Sequence, residues 1–273
     1  MHPIFLRLGP ITLHTYGVLL VAAVLCGLWL ARRRAIATGL DPDSVWNLGV
    51  YMVLAGLVTA KIWYILSDWD FYMANPRQLL SLDMLRAGGV FFGGFLGAIV
   101  VAVFYARYAK LHFLPVADAY MPGLALGHAI GRLGCFSAGC CWGRETDLPW
   151  GVIFTDPVAQ QIVGTPLGIR VHPTQLYEAT VEFLIFLVLL WATQRQKFTG
   201  QIFSGFAVLY GGSRFVIEFY RGDAGRTMVF GGALSLMQVV SLGLVLWGTW
   251  IFWRGSRKPE VAGRPATASR RAK

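Results

Sequence analysis

The sequence predicts an all-α membrane protein: a seven-transmembrane-helix bundle with a small periplasmic head. Three observations carry that expectation. The 273 residues are 56% hydrophobic and only 14% charged, with a mean hydropathy of +0.56. Soluble domains carry ~25% charged residues. The apolar residues lie in long blocks, and the basic residues are shared unevenly between alternate connections. Together these exclude a disordered chain, a collagen-like repeat, a disulfide-stapled mini-domain and most soluble folds.

A bilayer core takes about 20 mostly apolar residues per helix. Stretches near 16–31, 45–66, 88–107, 113–134, 175–193, 202–220 and 232–253 meet that need. The first has little positive charge before it and no convincing cleavage site after it, so it reads as a retained helix rather than a signal peptide. The second ends near Leu66, with Lys61 close to that end. The third repeats Gly89, Gly93 and Gly97, and the fourth Gly123, Gly127 and Gly131. Glycine strips at four-residue spacing let helix backbones approach closely, and here they predict that spans three and four are neighbours. The fifth opens at Gln175 with Glu178 and Glu182. The sixth leads to Arg214, Glu218 and Arg221. Trp247, Trp250 and Trp253 place the end of the seventh at the inner interface.

Orientation follows from Lys and Arg placement. Arg32, Arg33, Arg34, Arg107, Lys110, Arg195, Lys197 and the tail residues Arg254, Arg257, Lys258, Arg264, Arg270, Arg271 and Lys273 share one side. Arg7, Arg77, Arg86, Arg144, Arg170, Arg221 and Arg226 fall on the other. The richer side is cytoplasmic, which puts the N-terminus in the periplasm and the C-terminus in the cytoplasm of a bacterial inner membrane. The formal charge of +10 therefore reports topology, and no nucleic-acid partner is expected. Residues 1–253 form the membrane domain. Residues 254–273 form a basic, disordered cytoplasmic tail able to touch anionic lipid heads. An outer loop at about 135–174 is long enough to suggest function. The outer segment 67–87 carries Trp69, Phe71 and Tyr72, which suit an interfacial belt.

Ionisable residues inside spans are expensive and point to function. Lys61, Arg132, Glu178, Glu182, Arg214, Glu218 and Arg221 all fall toward the outer leaflet, whereas Asp118 lies toward the cytoplasm. Gln175, Glu178 and Glu182 share one helical stripe, Arg214, Glu218 and Arg221 another, and His128, Arg132 and Cys135 a third. Equal depth predicts a Glu182–Arg214 pair. The guanidinium groups of Arg132 and Arg214 suit phosphate. His128 can serve as a base or orient a neighbour, and His172 precedes Pro173 at the outer mouth of span five.

Cys26 reads as packing inside an apolar helix. Cys135, Cys140 and Cys141 stand at C-x4-C-C on the outer side. A structural disulfide, reactive thiols and a metal site are all readings of them. The spacing matches no common zinc pattern and shows no fourth ligand, so no metal and no cofactor are expected.

Five stretches carry a family resemblance. Gly131-Arg132-Leu133-Gly134-Cys135-Phe136 through Cys141-Trp142-Gly143-Arg144 resembles the signature of prolipoprotein diacylglyceryl transferases. His172-Pro173-Thr174-Gln175-Leu176-Tyr177-Glu178 is similar to that family's H-P-[ST]-Q-L-Y-E. Tyr210-Gly211-Gly212-Ser213-Arg214 through Glu218 and Arg221 is similar to its Y-G-x-x-R-x-x-x-E-x-x-R. His14-Thr15-Tyr16-Gly17 and the glycine-rich Gly88–Gly97 resemble its first and third spans.

The resemblance implies a seven-span bundle with a periplasmic head. It implies transfer of a diacylglyceryl group from phosphatidylglycerol to the lipobox cysteine of a preprolipoprotein signal peptide, with glycerol phosphate leaving. It implies that Arg132 and Arg214 are catalytic and bind phosphatidylglycerol together with Gly143 and His172. Tyr16, Glu178 and Glu218 match supporting polar positions. His128 is a further candidate, because the histidine usual in the family's third span is Phe92 here. The signature's two asparagines are Cys135 and Ala138, and its glutamate is Cys140. A thiol-redox enzyme on the same bundle and a non-enzymatic lipid-binding protein are the alternative readings.

Overall fold

Each apolar block becomes a helix, and glycine, proline and capping side chains mark where the helices stop. The computed structural model describes residues 2–8, 11–81, 84, 89–222 and 227–257. The expectations for Arg86, Gly88, Arg226 and the tail from Lys258 onward lie outside the described residues. The helices are α1 (Thr15–Thr38), α2 (Pro42–Ser67), α3 (Trp69–Ala74), α4 (Phe91–Tyr108), α5 (Phe113–Ala138), α6 (Pro157–Val163), α7 (Thr174–Thr193), α8 (Gln201–Ile217) and α9 (Leu236–Ser256). Short antiparallel hairpins pair β1 (Ile4–Leu8) with β2 (Ile11–His14), β3 (Val152–Ile153) with β4 (Arg170–Val171), and β5 (Met228–Val229) with β6 (Leu234–Ser235).

Local chemistry sets the ends. α1 stops at Gly39, whose φ of 74° lets its N–H return to the Ala35 and Ile36 carbonyls. Asp41 caps α2 by accepting from the Asp43 and Ser44 N–H groups, with Pro42 at the first helical position. Ser235 and Gln238 form a reciprocal capping box on α9.

Among the described residues, five helical segments are long and apolar enough to cross a membrane: α1, α2, α7, Gln201–Tyr220 and α9. α4 is a shorter apolar helix. α5 has 26 residues but carries Asp118, His128 and Arg132. Large apolar side chains such as Leu54, Leu184, Trp191 and Leu246 face outward, while Gln175, Glu178, Glu182, Arg214, Glu218, Arg221 and Gln238 are buried. Apolar outside and polar inside is the arrangement that a lipid solvent favours. The chain is an all-α, multi-pass membrane protein.

The chain divides into two compact units, residues 1–39 with 117–273, and residues 40–116. In the second, α4 lies along α2. A Cβ on Gly93 would come within 2.4 Å of Trp63, and one on Gly94 within 2.8 Å of the Gly56 carbonyl. In the first, Gly123 and Gly127 back onto the Gly27 and Ala23 carbonyls of α1. This corrects the expectation that the two glycine strips mark spans three and four as neighbours. Each strip finds its partner on another helix of its own unit. A strip of small residues shows which face can be approached, not by what.

The first unit also holds α7, α8 and α9, with α8 packed on both others. Asp118 organises the α7–α8 turn. Its carboxylate accepts from Gln196 Nε2 (2.7 Å), Gly200 N (2.6 Å) and Phe203 N (2.8 Å). That settles it as a buried structural group, distant in role from the other ionisable residues.

Candidate functional site

Three helices of the first unit contribute one connected set of charges. Arg132 stands near the end of α5, Glu178 and Glu182 on the first turns of α7, and Arg214 near the end of α8. A 3-10 turn over Glu218–Tyr220 continues α8 and brings Glu218 and Arg221 alongside. Glu178 is the hub. Its Oε2 lies 2.5 Å from Arg132 Nε, and its Oε1 lies 2.9 Å from Arg214 Nη1 and 3.7 Å from Arg221 Nη1. Arg214 Nη2 also pairs with Glu218 Oε2 at 2.7 Å. Glu178, Arg214, Glu218 and Arg221 are all buried, so these pairs are little screened by solvent.

The expected Glu182–Arg214 pair is not what forms. Arg214 meets Glu178, one helical turn earlier on α7, and Glu218 on its own helix four residues on. Glu182 instead lies 3.3 Å from His128 Nδ1. Arg132 Nε donates to His128 Nε2 at 3.2 Å, and the Tyr210 ring lies 5.6 Å from the imidazole. Both ring nitrogens of His128 are thus engaged. An imidazole that accepts at Nε2 carries its proton at Nδ1, facing the Glu182 carboxylate. The second oxygen of Glu182 is buried with no hydrogen-bond partner. A continuous polar chain runs Glu182–His128–Arg132–Glu178–Arg214–Glu218.

Beyond α5, three consecutive carbonyls are held by buried side chains. Thr165 Oγ1 donates to Gly139 O (2.9 Å), Gln175 Nε2 to Cys140 O (2.6 Å) and Thr174 Oγ1 to Cys141 O (2.8 Å). The turn is tight: Cys140 N returns to Cys135 O at 3.1 Å, and Cys141 takes a left-handed φ of 63°, uncommon for a residue with a side chain. The sulfurs of Cys135, Cys140 and Cys141 lie within 4.8 Å of one another, and all three are free thiols. Hydrogen bonds from Cys135 and Cys140, with the Arg221 and Arg132 guanidiniums, hold the Cys141 thiol below its ordinary range against the effect of burial. Hydrogen bonding to Cys135 and Cys141, with burial, pushes Cys140 up. Cys26 stands apart on α1.

The chain beyond this turn pairs into a small sheet. Gly143 N bonds to His172 O at 3.0 Å, His172 N to Arg144 O at 2.9 Å, Arg144 N to Tyr220 O at 2.8 Å, and Gly222 N to Trp142 O at 3.1 Å. The 142–146 strand is thereby stitched to 170–172 on one edge and 220–222 on the other. A Cβ on Gly143 would meet the His172 and Tyr220 backbone at 2.5 and 2.8 Å, so only glycine fits. His172 Nδ1 lies 3.1 Å from Tyr177 Oη, which also accepts from Trp150 Nε1 at 2.8 Å. Burial and the nearby Arg144 hold the His172 imidazole below the usual histidine range. Arg144 itself donates to the Phe219 carbonyl.

The structure therefore gathers Arg132, His128, Glu178, Arg214 and Glu218 into one network. Gly143 and His172 lie on paired strands next to it, and of the three thiols Cys141 is within electrostatic reach of Arg132 and Arg221. Tyr16 opens α1, packs over Gly134 and lies within electrostatic reach of the thiols and Arg132. Phe92 and Lys61 belong to the other unit. Phe92 is 59% exposed, and Lys61 Nζ donates to Met84 O at 2.6 Å. Sequence reasoning places Arg221 on a stripe without a role, yet it is the third cation on Glu178. It gives Tyr210 no role beyond its motif, and it does not see the Thr165 and Thr174 anchors. Hydroxyls that hold carbonyls leave no periodic signal.

The motif-bearing residues lie close together, and the chain is similar to known proteins over nearly its whole length. The family model described as prolipoprotein diacylglyceryl transferase matches residues 3–254. The chain is 31% identical over 253 residues to the phosphatidylglycerol–prolipoprotein diacylglyceryl transferase of Clostridium tetani, covering 92% of this chain and 97% of that one. It is 34% identical to the protein of that name from Thermosynechococcus vestitus, covering 93% and 94%, and 35% identical to that of Nitratidesulfovibrio vulgaris, covering 94% and 95%. On a match that spans the membrane helices, the arginine network and the head alike, the chain belongs to the prolipoprotein diacylglyceryl transferase family.

Proposed function

We propose that this chain transfers the diacylglyceryl group of phosphatidylglycerol to the lipobox cysteine of a preprolipoprotein. One observation carries the reading: Arg132 and Arg214, from different helices, meet at a single buried carboxylate. Two guanidiniums held that close form a fork for an anion with several oxygens. Glu178 keeps them aligned when no lipid is present, and a phosphodiester entering the site competes for the same donors. The names and full-length coverage of the relatives favour this reading over a redox enzyme or a passive lipid binder.

The reaction forms a C–S bond and breaks the bond from the glycerol carbon to the phosphate oxygen. The phosphate passes from a singly charged diester to a more highly charged monoester. Arginines placed where that charge grows lower the barrier. Glu218 holds Arg214, and His128 holds Arg132 by accepting its Nε–H. In this reading His128 is a positioning residue. Gly143 and His172 shape the head strand that faces the lipid's glycerol, and Tyr16 lines the α1 side. The bundle spans an inner membrane seven times, with α4 and α5 completing the count, the N-terminus and head periplasmic and the tail cytoplasmic. The membrane, phosphatidylglycerol and the signal peptide are its partners.

Vesicles of phosphatidylglycerol labelled in the head-group glycerol test this. Release of glycerol phosphate that requires a lipobox peptide, and is lost in Arg132→Ala, is the expected result. No peptide-dependent release would contradict it.

A further inference from the structure

The acceptor thiol must give up its proton, and the obvious base is occupied. His128 has Arg132 on one nitrogen and Glu182 on the other. Beside that network stand three free thiols whose sulfurs lie within 4.8 Å of one another. Their convergence is built. Three fully buried side chains, Thr165, Gln175 and Thr174, grip three successive carbonyls, and Cys141 is held in a left-handed backbone conformation. A disulfide uses two sulfurs and gains nothing from a third at equal range. Three thiolates at that spacing suit a soft cation.

We propose that Cys135, Cys140 and Cys141 bind one zinc ion whose open fourth position receives the acceptor thiol. The inference rests on the transferase reading above. Three protein ligands with one open position distinguish a catalytic zinc site from a closed structural one. A thiol that coordinates zinc is deprotonated outright. The incoming cysteine loses its proton to water on binding, and its sulfur then attacks the glycerol carbon. The C–S bond forms as the C–O bond breaks, and the electron pair leaves on the phosphate. No group is oxidised or reduced. The thioether product is neutral, a weaker ligand than the thiolate, and departs. Three thiolates around a divalent ion carry a net negative charge, and the nearby arginines offset it. The ion would thus generate the thiolate without calling on His128, whose two ring nitrogens are both engaged.

The test uses the full-length protein in phosphatidylglycerol nanodiscs, with thiols kept reduced. It is stripped with a chelator and titrated with zinc, and metal content is read by mass spectrometry. The expected result is one zinc per chain, retained in Cys26→Ser and lost in Cys140→Ser and Cys141→Ser. Stripping should slow transfer to a lipobox peptide by roughly a hundredfold, the scale of losing a proton acceptor. Zinc should restore it. Should the serine variants fail to fold, Cys140→Asp keeps an oxygen ligand and should bind zinc more weakly. Substoichiometric zinc, a disulfide between two of the thiols in protein isolated from membranes, or transfer unchanged by stripping would each overturn the proposal. Stoichiometric zinc lost in the variants, with no transfer in any metal state, would uphold the ion site and overturn the transferase reading instead.

Discussion

Glu178 is shared by Arg132 and Arg214, the first 2.5 Å from its Oε2 and the second 2.9 Å from its Oε1. The arginines come from α5 and α8, so one carboxylate on α7 sets the spacing of a cationic fork. Removing it takes a carboxylate from both arginines, leaving Arg214 with its Glu218 pair and Arg132 without the Glu178 contact. Glu178→Ala should therefore lower stability by about 3–5 kcal/mol, the usual cost of breaking a buried pair from one side. Thermal unfolding of the detergent-solubilised protein measures this. An unchanged midpoint would show that the network does not hold the helices.

The fork matters for geometry as well as charge. Lysine keeps the charge but presents a point donor. Arg132→Lys and Arg214→Lys should each reduce transfer by about a hundredfold or more, as when one preorganised donor to developing charge is lost. Initial rates on phosphatidylglycerol vesicles check it. Near-native rates in either variant would mean that charge alone suffices.

Glu182 holds the His128 ring that accepts from Arg132. Glu182→Gln retains an acceptor while removing the charge, and should slow kcat by about tenfold, ~1.4 kcal/mol of barrier. KM for the peptide should barely move. Loss confined to KM would assign Glu182 to binding.

Gly143 has no room for a side chain between His172 and Tyr220. Gly143→Ala should separate the head strands and cost about 1–3 kcal/mol, as overpacking does. Protease sensitivity of the 142–172 segment reads the effect locally. An intact head in the variant would place the tolerance elsewhere.

His172 titrates below the ordinary histidine range through burial and Arg144. The unfolded chain then binds more protons than the folded one between the lowered value and about 6.5. Stability from this group is present above about pH 6.5 and is lost as pH falls through the folded value. His172→Asn should flatten that part of the pH profile of thermal stability, and an unchanged profile would contradict the assignment.

The helices were legible because a lipid-facing surface writes itself as long apolar blocks. The charged stripes were legible for a related reason: a buried ion in lipid must be grouped with others. Partner choice was harder. Glu178 and Glu182 differ by about 6 Å along a helix, which is within the uncertainty of a span boundary, so Arg214 was assigned to the wrong glutamate. The three thiols stand together in the sequence, which leaves a disulfide, reactive thiols and a metal site all open. Their convergence depends on Thr165, Thr174 and Gln175 holding carbonyls, and C-x4-C-C spacing alone says nothing of that. Likewise, Gly123 and Gly93 announce close contacts without naming α1 and α2 as the surfaces they meet.

The account turns on whether the acceptor sulfur leaves with the lipid's glycerol backbone attached. Full-length protein, phosphatidylglycerol and a lipobox peptide, followed by intact-mass and fragment mass spectrometry, decide it. The account predicts a diacylglyceryl thioether on the peptide cysteine, absent with Arg132→Ala. An unmodified peptide, in vesicles where a relative such as the Clostridium tetani enzyme modifies it, would contradict the central claim.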